Sequence, residues 1–229
     1  MLAFFFCGAL CSAGSLSEFT EVAERAGYNT QVFELDTNPF TANHERDLTQ
    51  YREAIAAAIS EAPEAARIYF GYSAGSKFAA RLASEVDTAV DGLFLLDPVD
   101  GPPPLQKDFV RFPVFLENIS PSWRLLRTQE SKTHPSVFKI LNSEFGERAG
   151  FGGVPCVSAN YGPRWFAQRM GAQANETFEL KSAGHLDPLS RQPRFPGNLA
   201  CPAGSKDAAT KARKNALDQF SEFLASIYL

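Results

Sequence analysis

Short apolar runs alternate with stretches of helical periodicity, and that alternation restricts the fold more than any other feature of the sequence. Leu2–Phe6 is an unbroken apolar run stopped by Cys7-Gly8, and residues 15–25 then repeat Leu16, Phe19, Val22 and Ala23 at helical spacing. Residues 29–35 alternate as a strand does, and residues 47–61 carry Leu48, Ile55, Ala58 and Ile59 as a helix. Residues 66–70 form a short β run ending at Gly71, residues 77–85 are helical, and residues 90–96 make a further apolar run ending at Asp97-Pro98. Strand followed by helix, repeated, is the pattern of a mostly parallel sheet with flanking helices, an α/β fold. Residues 112–116 and 176–181 read as later strands, and 207–228 as a C-terminal helix with Ala216, Phe220, Phe223, Leu224 and Ile227 on one side. Between 118 and 175, Pro121, Pro135, Pro155 and Pro163 divide the chain into short pieces, so an irregular insert without a strand is expected there. At 229 residues, with no linker, the chain reads as a single domain spanning 1–229.

Composition excludes several classes. Lys and Arg number 22 against 26 Asp and Glu, a net charge of −4 with no basic run interleaved with aromatics, so nucleic acid is not an expected partner. Gly (16) and Pro (15) stay well below the ~25–30% that marks low-complexity chains. Cys7, Cys11, Cys156 and Cys201 form no CxxC or Cys/His cluster, so no metal site is expected; one bridge, Cys156 to Cys201, is left open. The first 14 residues share the apolar core and small-residue end of a secretory leader, but lack its positive start and are too short to cross a bilayer. The buried-strand reading is preferred.

Gly71-Tyr-Ser-Ala-Gly75 fits G-x-S-x-G and lies between a strand and a helix, where that motif has a mechanical meaning. The glycines permit a sharp turn that lifts the Ser73 hydroxyl above the sheet as a nucleophile, with the Ala74 N–H positioned for an oxyanion. Such a serine needs a base that is largely neutral near pH 7, and the chain has three histidines. His44 sits in a polar helix start and His134 in the insert, whereas His185 directly follows the last strand, on the sheet edge where Ser73 emerges. The orienting carboxylate is expected at Asp97, which ends the run at 93–96; Glu117 is its rival, and Asp100 and Asp187 lie in loops. A second oxyanion donor belongs in the loop after the first strand, where Ala9 N–H is the candidate; a cleaved leader would delete it. The chain order Ser73, Asp97, His185 is that of the α/β-hydrolase fold.

These motifs together resemble the chlorophyllase family, α/β-hydrolase esterases that remove the phytyl chain from chlorophyll. The resemblance is carried by Gly-Tyr-Ser-Ala-Gly-Ser-Lys at 71–77, Leu-Asp-Pro-Val-Asp-Gly at 96–101 followed by prolines 102–104, Pro-Val at 113–114 and Gly-His-Leu-Asp at 184–187. Pro155-Cys156, Asn160 and Trp165-Phe166 extend it more faintly. It implies Asp97 as the acid, and no metal or cofactor. It also implies a lipophilic ester, chlorophyll or a related pigment, bound against the aromatic insert with Trp165 and Phe166 as walls, and contact with a membrane surface or micelle. Plastid or cytoplasm is then expected rather than secretion. Plant members read Gly-His-Ser-Arg-Gly-Gly at the elbow, so Tyr72, Ala74 and Ser76 depart from them, as Cys7-Gly8 departs from their His-Gly. Leu2–Phe6 corresponds to the family's third strand, so the first edge strands are expected to be lacking here, as in a truncated member. A general lipase or esterase of related fold, and a catalytically inactive binding protein on the same fold, are the competing readings.

Overall fold

The computed structural model describes residues 1–8, 11–35, 44–98, 136–143, 176–191 and 205–227. Its strands are β1 (Leu2–Phe6), β2 (Asn29–Phe33), β3 (Arg67–Tyr72), β4 (Gly92–Leu96), β5 (Val137–Ser143) and β6 (Glu176–Leu180). The helices are α1 (Ser17–Arg25), α2 (His44–Glu61), α3 (Gly75–Ala83) and α4 (Lys206–Ser226). All six strands are parallel, in the order β2-β1-β3-β4-β5-β6. Among the described residues no strand lies outside β2.

Parallel strands buried on both faces need apolar side chains at every position, and β1 and β4 are buried throughout. Period-2 alternation divides them between two cores. Ala3 and Phe5 of β1, Phe70 of β3 and Phe94 of β4 face one core, covered by Phe19 of α1 and by Phe220 and Phe223 of α4. Leu2, Phe4 and Phe6, with Tyr69, Leu93 and Leu95, face the other, covered by Ile55 of α2 and Phe78 of α3. On the first face Phe5, Phe70 and Phe94 form a row across three strands with centroids 5.1 and 5.3 Å apart, and Phe220 meets all three edge-on at 5.1 to 6.0 Å. Truncating a ring so enclosed costs about 3–5 kcal/mol, which makes Phe220 the anchor of α4. The helix begins where Ser205 Oγ accepts the Ala208 N–H at 3.2 Å.

The expected strand-helix rhythm is present, with helix ends shifted by a few residues. One expectation needs correction. The stretch 118–175 is not free of strand, because β5 (Val137–Ser143) lies inside it and is the partner of β4. Lys139 interrupts its apolar pattern, yet that lysine is buried, 4.7 Å from the Phe178 ring centroid and 3.8 Å from Glu222 of α4. The proposed strand at 112–116 lies outside the described residues. Leu2–Phe6, whose apolar run also suited a leader, is an inner strand between β2 and β3.

Candidate active site

The chain runs from β1 outward to β2 and then returns to the other side of β1 as β3. Where strand order reverses in this way, the carboxyl ends of the two neighbouring strands open a crevice that ligands occupy. Cys7-Gly8 leaves β1 and Ser73 leaves β3 at that point.

Ser73 has φ of +52°, a left-handed conformation that costs a non-glycine residue about 1–3 kcal/mol. It directly follows β3, and its N–H still donates to Leu96 O at 3.0 Å, so the turn is held to the sheet. The two glycines of the motif serve close packing. A Cβ on Gly71 would lie 2.5 Å from Ser76 Cα, and one on Gly75 would lie 2.2 Å from Phe6 O. Helix α3 can therefore start against β1 and β3 only with glycine at both places. Ala74 is the residue before α3, so its N–H belongs to the positive end of the helix.

Asp97 repeats this geometry one strand away. It directly follows β4, has φ of +45°, and its N–H donates to Leu141 O at 2.7 Å. Both carboxylate oxygens are held by Ser143, the last residue of β5: its N–H donates to Oδ1 and its hydroxyl to Oδ2, each at 2.5 Å. Charge-assisted bonds of this kind stabilise a buried carboxylate and set its aim.

His185 lies in the turn after β6. Its Nε2 is 2.9 Å from Ser73 Oγ, and its Nδ1 is 3.6 Å from Asp97 Oδ2. Nδ1 has no hydrogen-bond partner in this state, and an approach of about 0.7 Å would give it one. Two contacts hold the imidazole from behind: the Tyr72 ring stacks on it with centroids 4.9 Å apart and planes at 18°, and the Tyr72 hydroxyl donates to His185 O at 2.9 Å. Burial, and next the charge of Asp97, push the Tyr72 phenol well above its ordinary range, so it stays a neutral donor. Asp187 shapes the turn by accepting the Gly184 N–H at 2.7 Å.

Ser73, Asp97 and His185 are thus brought together from three strand ends, with Ser73, His185 and Asp97 all buried. Of the competing residues, Asp187 is engaged in the turn, the His44 side chain lies outside the described residues although the residue opens α2, and Glu117, Asp100 and His134 lie outside them as well. Ala9, Trp165, Phe166, Cys156 and Cys201 are also outside the described residues. Sequence reasoning missed Ser143 and the part played by Tyr72. Tyr72 stands inside the motif, where its identity was a readable departure, but nothing local marks Ser143 as the partner of a residue 46 positions earlier. Among the described residues no three His, Cys, Asp or Glu side chains group as metal ligands, and no helix is long and apolar enough to cross a membrane.

No protein-family model matches the sequence, and no curated protein is significantly similar to it. Solved structures do match. A soluble variant of monoglyceride lipase from Saccharomyces cerevisiae superposes with a TM-score of 0.65 at 8% identity, over 99% of this chain and 86% of that one. Carboxyl esterase 2 from the mycorrhizal fungus Tuber melanosporum gives 0.62 at 13% identity, over 99% and 76%. The carboxylesterase Cest-2923 from Lactobacillus plantarum WCFS1 gives 0.60 at 16% identity, over 96% and 85%. Identities this low speak to architecture alone, and together with the parallel sheet they establish that this chain has the α/β-hydrolase fold.

Proposed function

We propose that the chain is a serine carboxylic-ester hydrolase acting on a lipophilic ester, with the phytyl ester of chlorophyll as the substrate implied by its sequence motifs. The observation that carries the ester-hydrolase reading is Ser73 Oγ at 2.9 Å from His185 Nε2, on a positive-φ turn at the mouth of the sheet, with Asp97 on the far side of the imidazole. Ser73 Oγ attacks the ester carbonyl while Nε2 takes its proton. Asp97 draws to Nδ1–H and stabilises the imidazolium. The tetrahedral oxyanion is met by the Ala74 N–H; the second donor expected from the sequence, Ala9, lies outside the described residues. His185 then protonates the leaving alcohol, and a water activated by the same nitrogen releases the acid. The ester chemistry of the structurally similar lipase and carboxylesterases agrees with this sequence of steps.

The pigment reading rests on the motif resemblance and on the aromatic wealth of the insert, where Trp165 and Phe166 would wall an apolar cleft. A general esterase is the second reading, favoured by those same structural neighbours. The two separate in detergent that disperses the pigment. A chlorophyllase releases chlorophyllide and phytol, and Trp165→Ala lowers pigment turnover far more than cleavage of a short nitrophenyl ester. Rapid cleavage of the short ester with no chlorophyllide formed leaves the general esterase.

A further inference from the structure

Two thiols lie in the core cluster that holds Tyr72, the residue before the nucleophile. Cys7, the residue after β1, and Cys11 are both free, and the Cys11 thiol points at Cys7 Sγ across 2.9 Å. The Cys11 N–H donates to Gly8 O at 3.2 Å, which ties the two cysteines together through the backbone. Gly8, between them in sequence, abuts the active serine: a Cβ there would lie 2.6 Å from Ser73 Cβ and 3.2 Å from Ser73 Oγ. Both sulfurs share a core cluster with Tyr72, the ring that supports His185. A bond drawn between the two sulfurs is therefore felt at Gly8 and, through it, beside Ser73.

We propose that Cys7 and Cys11 are a reversible dithiol site, which hydroperoxides oxidise to an intramolecular disulfide that slows the hydrolase. The two thiols differ in reach, since Cys11 is 8% exposed and Cys7 only 1%. The hydrogen bond with Cys11, and then burial, push the Cys7 thiol far up, so Cys7 remains protonated while Cys11 meets the oxidant. The Cys11 sulfur attacks one peroxide oxygen, the O–O bond breaks, and the other oxygen leaves as alcohol or water with the Cys11 thiol proton, while the attacked oxygen stays on sulfur with its hydrogen as the sulfenic acid. Cys7 sulfur then attacks Cys11 sulfur; an S–S bond forms, the S–O bond breaks, and the hydroxyl leaves as water with the Cys7 proton. Two thiols and one hydroperoxide thus become one disulfide, one alcohol and one water.

A disulfide needs the sulfurs at ~2.04 Å, so they must close by about 0.9 Å from their present 2.9 Å. Closing that gap pulls on Gly8, which is bonded to Cys7 and whose carbonyl accepts the Cys11 N–H. Misplacement of a reacting group by ~1 Å costs up to about a hundredfold in rate, so the oxidised form is expected to turn over about tenfold to a hundredfold more slowly. The covalent step needs only the two thiols; the rate effect rests on the ester-hydrolase reading.

The experiment treats the whole chain with hydrogen peroxide, unfolds it under alkylating conditions and maps its peptides by mass. The expected result is a Cys7–Cys11 disulfide, lighter than the dithiol by two hydrogen atoms and closed to alkylation, with short-ester turnover reduced and restored by dithiothreitol. Cys11→Ser and Cys11→Ala are expected to keep basal turnover and to resist this loss. Cys7 and Cys11 still open to alkylation, pairing of either with Cys156 or Cys201, or an equal activity loss in the Cys11 variants overturns the proposal. Formation of the disulfide in a chain that cleaves no ester before or after treatment overturns the rate effect and the hydrolase reading, while the dithiol site stands.

Discussion

Replacing Asp97 by Asn removes a charge while leaving the shape of the site almost unchanged, and the structure predicts which way the new amide turns. Oδ1 accepts the Ser143 N–H at 2.5 Å, and only the amide oxygen of Asn can take that place. The amide nitrogen must then occupy the Oδ2 position, where the Ser143 hydroxyl can rotate to accept from it. Oδ2 is also the atom 3.6 Å from His185 Nδ1. In the variant that nitrogen therefore faces a donor and becomes an acceptor, which moves the ring proton to Nε2. Nε2, 2.9 Å from Ser73 Oγ, would then donate to the serine instead of taking its proton. A wrong tautomer of this kind lowers turnover by ~10⁴, about 5.5 kcal/mol of barrier. Because both hydrogen bonds to Ser143 persist, the melting temperature should move by no more than about 4 °C, the equivalent of ~1 kcal/mol in a chain of this size. The assay is kcat on a short nitrophenyl ester beside a thermal melt, with Glu117→Gln as the control expected to change neither. A loss smaller than tenfold in a variant that melts normally would refute the assignment of Asp97 as the orienting acid.

Three further substitutions test the supports of the site. Ser143→Ala keeps the backbone bond to Asp97 but removes the hydroxyl; loss of a charge-assisted bond worth ~1.5–3 kcal/mol should lower the melting temperature by about 3–12 °C and reduce kcat far less than Asp97→Asn does. An unchanged melt would show that the hydroxyl does not hold the carboxylate. Tyr72→Phe retains the ring against His185 but leaves His185 O without its donor, a buried loss of ~1–3 kcal/mol; calorimetry should find the variant less stable, and one as stable as the wild type would remove Tyr72 as a support. Gly75→Ala drives a Cβ to 2.2 Å from Phe6 O, a backbone atom that cannot step aside, so destabilisation at or beyond ~1–3 kcal/mol is expected, and a normal melting curve would contradict the packing described for the elbow.

The readable parts of the sequence were those whose cause is local. The strand, sharp turn and helix around Ser73 announce themselves because Gly71 and Gly75 stand where packing admits no side chain. His185 could be reached by elimination among three histidines, since only it follows a strand. The strand β5 was hidden by Lys139, whose buried position is stabilised by Phe178 and by Glu222, 83 residues further along the chain. Ser143 stayed invisible for a related reason: its value lies wholly in a contact with Asp97 across neighbouring strands, and a serine ending a strand carries no mark of such a contact. The Cys7–Cys11 pair was visible only as two small residues four positions apart, and the approach of their sulfurs to 2.9 Å is a tertiary fact.

The central claim is that Ser73 is a nucleophile activated by His185. A fluorophosphonate probe reports this directly, because it phosphonylates only a serine whose proton can be taken as it attacks. Incubation of the wild-type chain followed by peptide mass mapping should find one adduct per chain, on Ser73, absent from Ser73→Ala and slowed by several orders of magnitude in His185→Ala with both variants folded. No adduct on Ser73, or labelling of His185→Ala as fast as wild type, would contradict it.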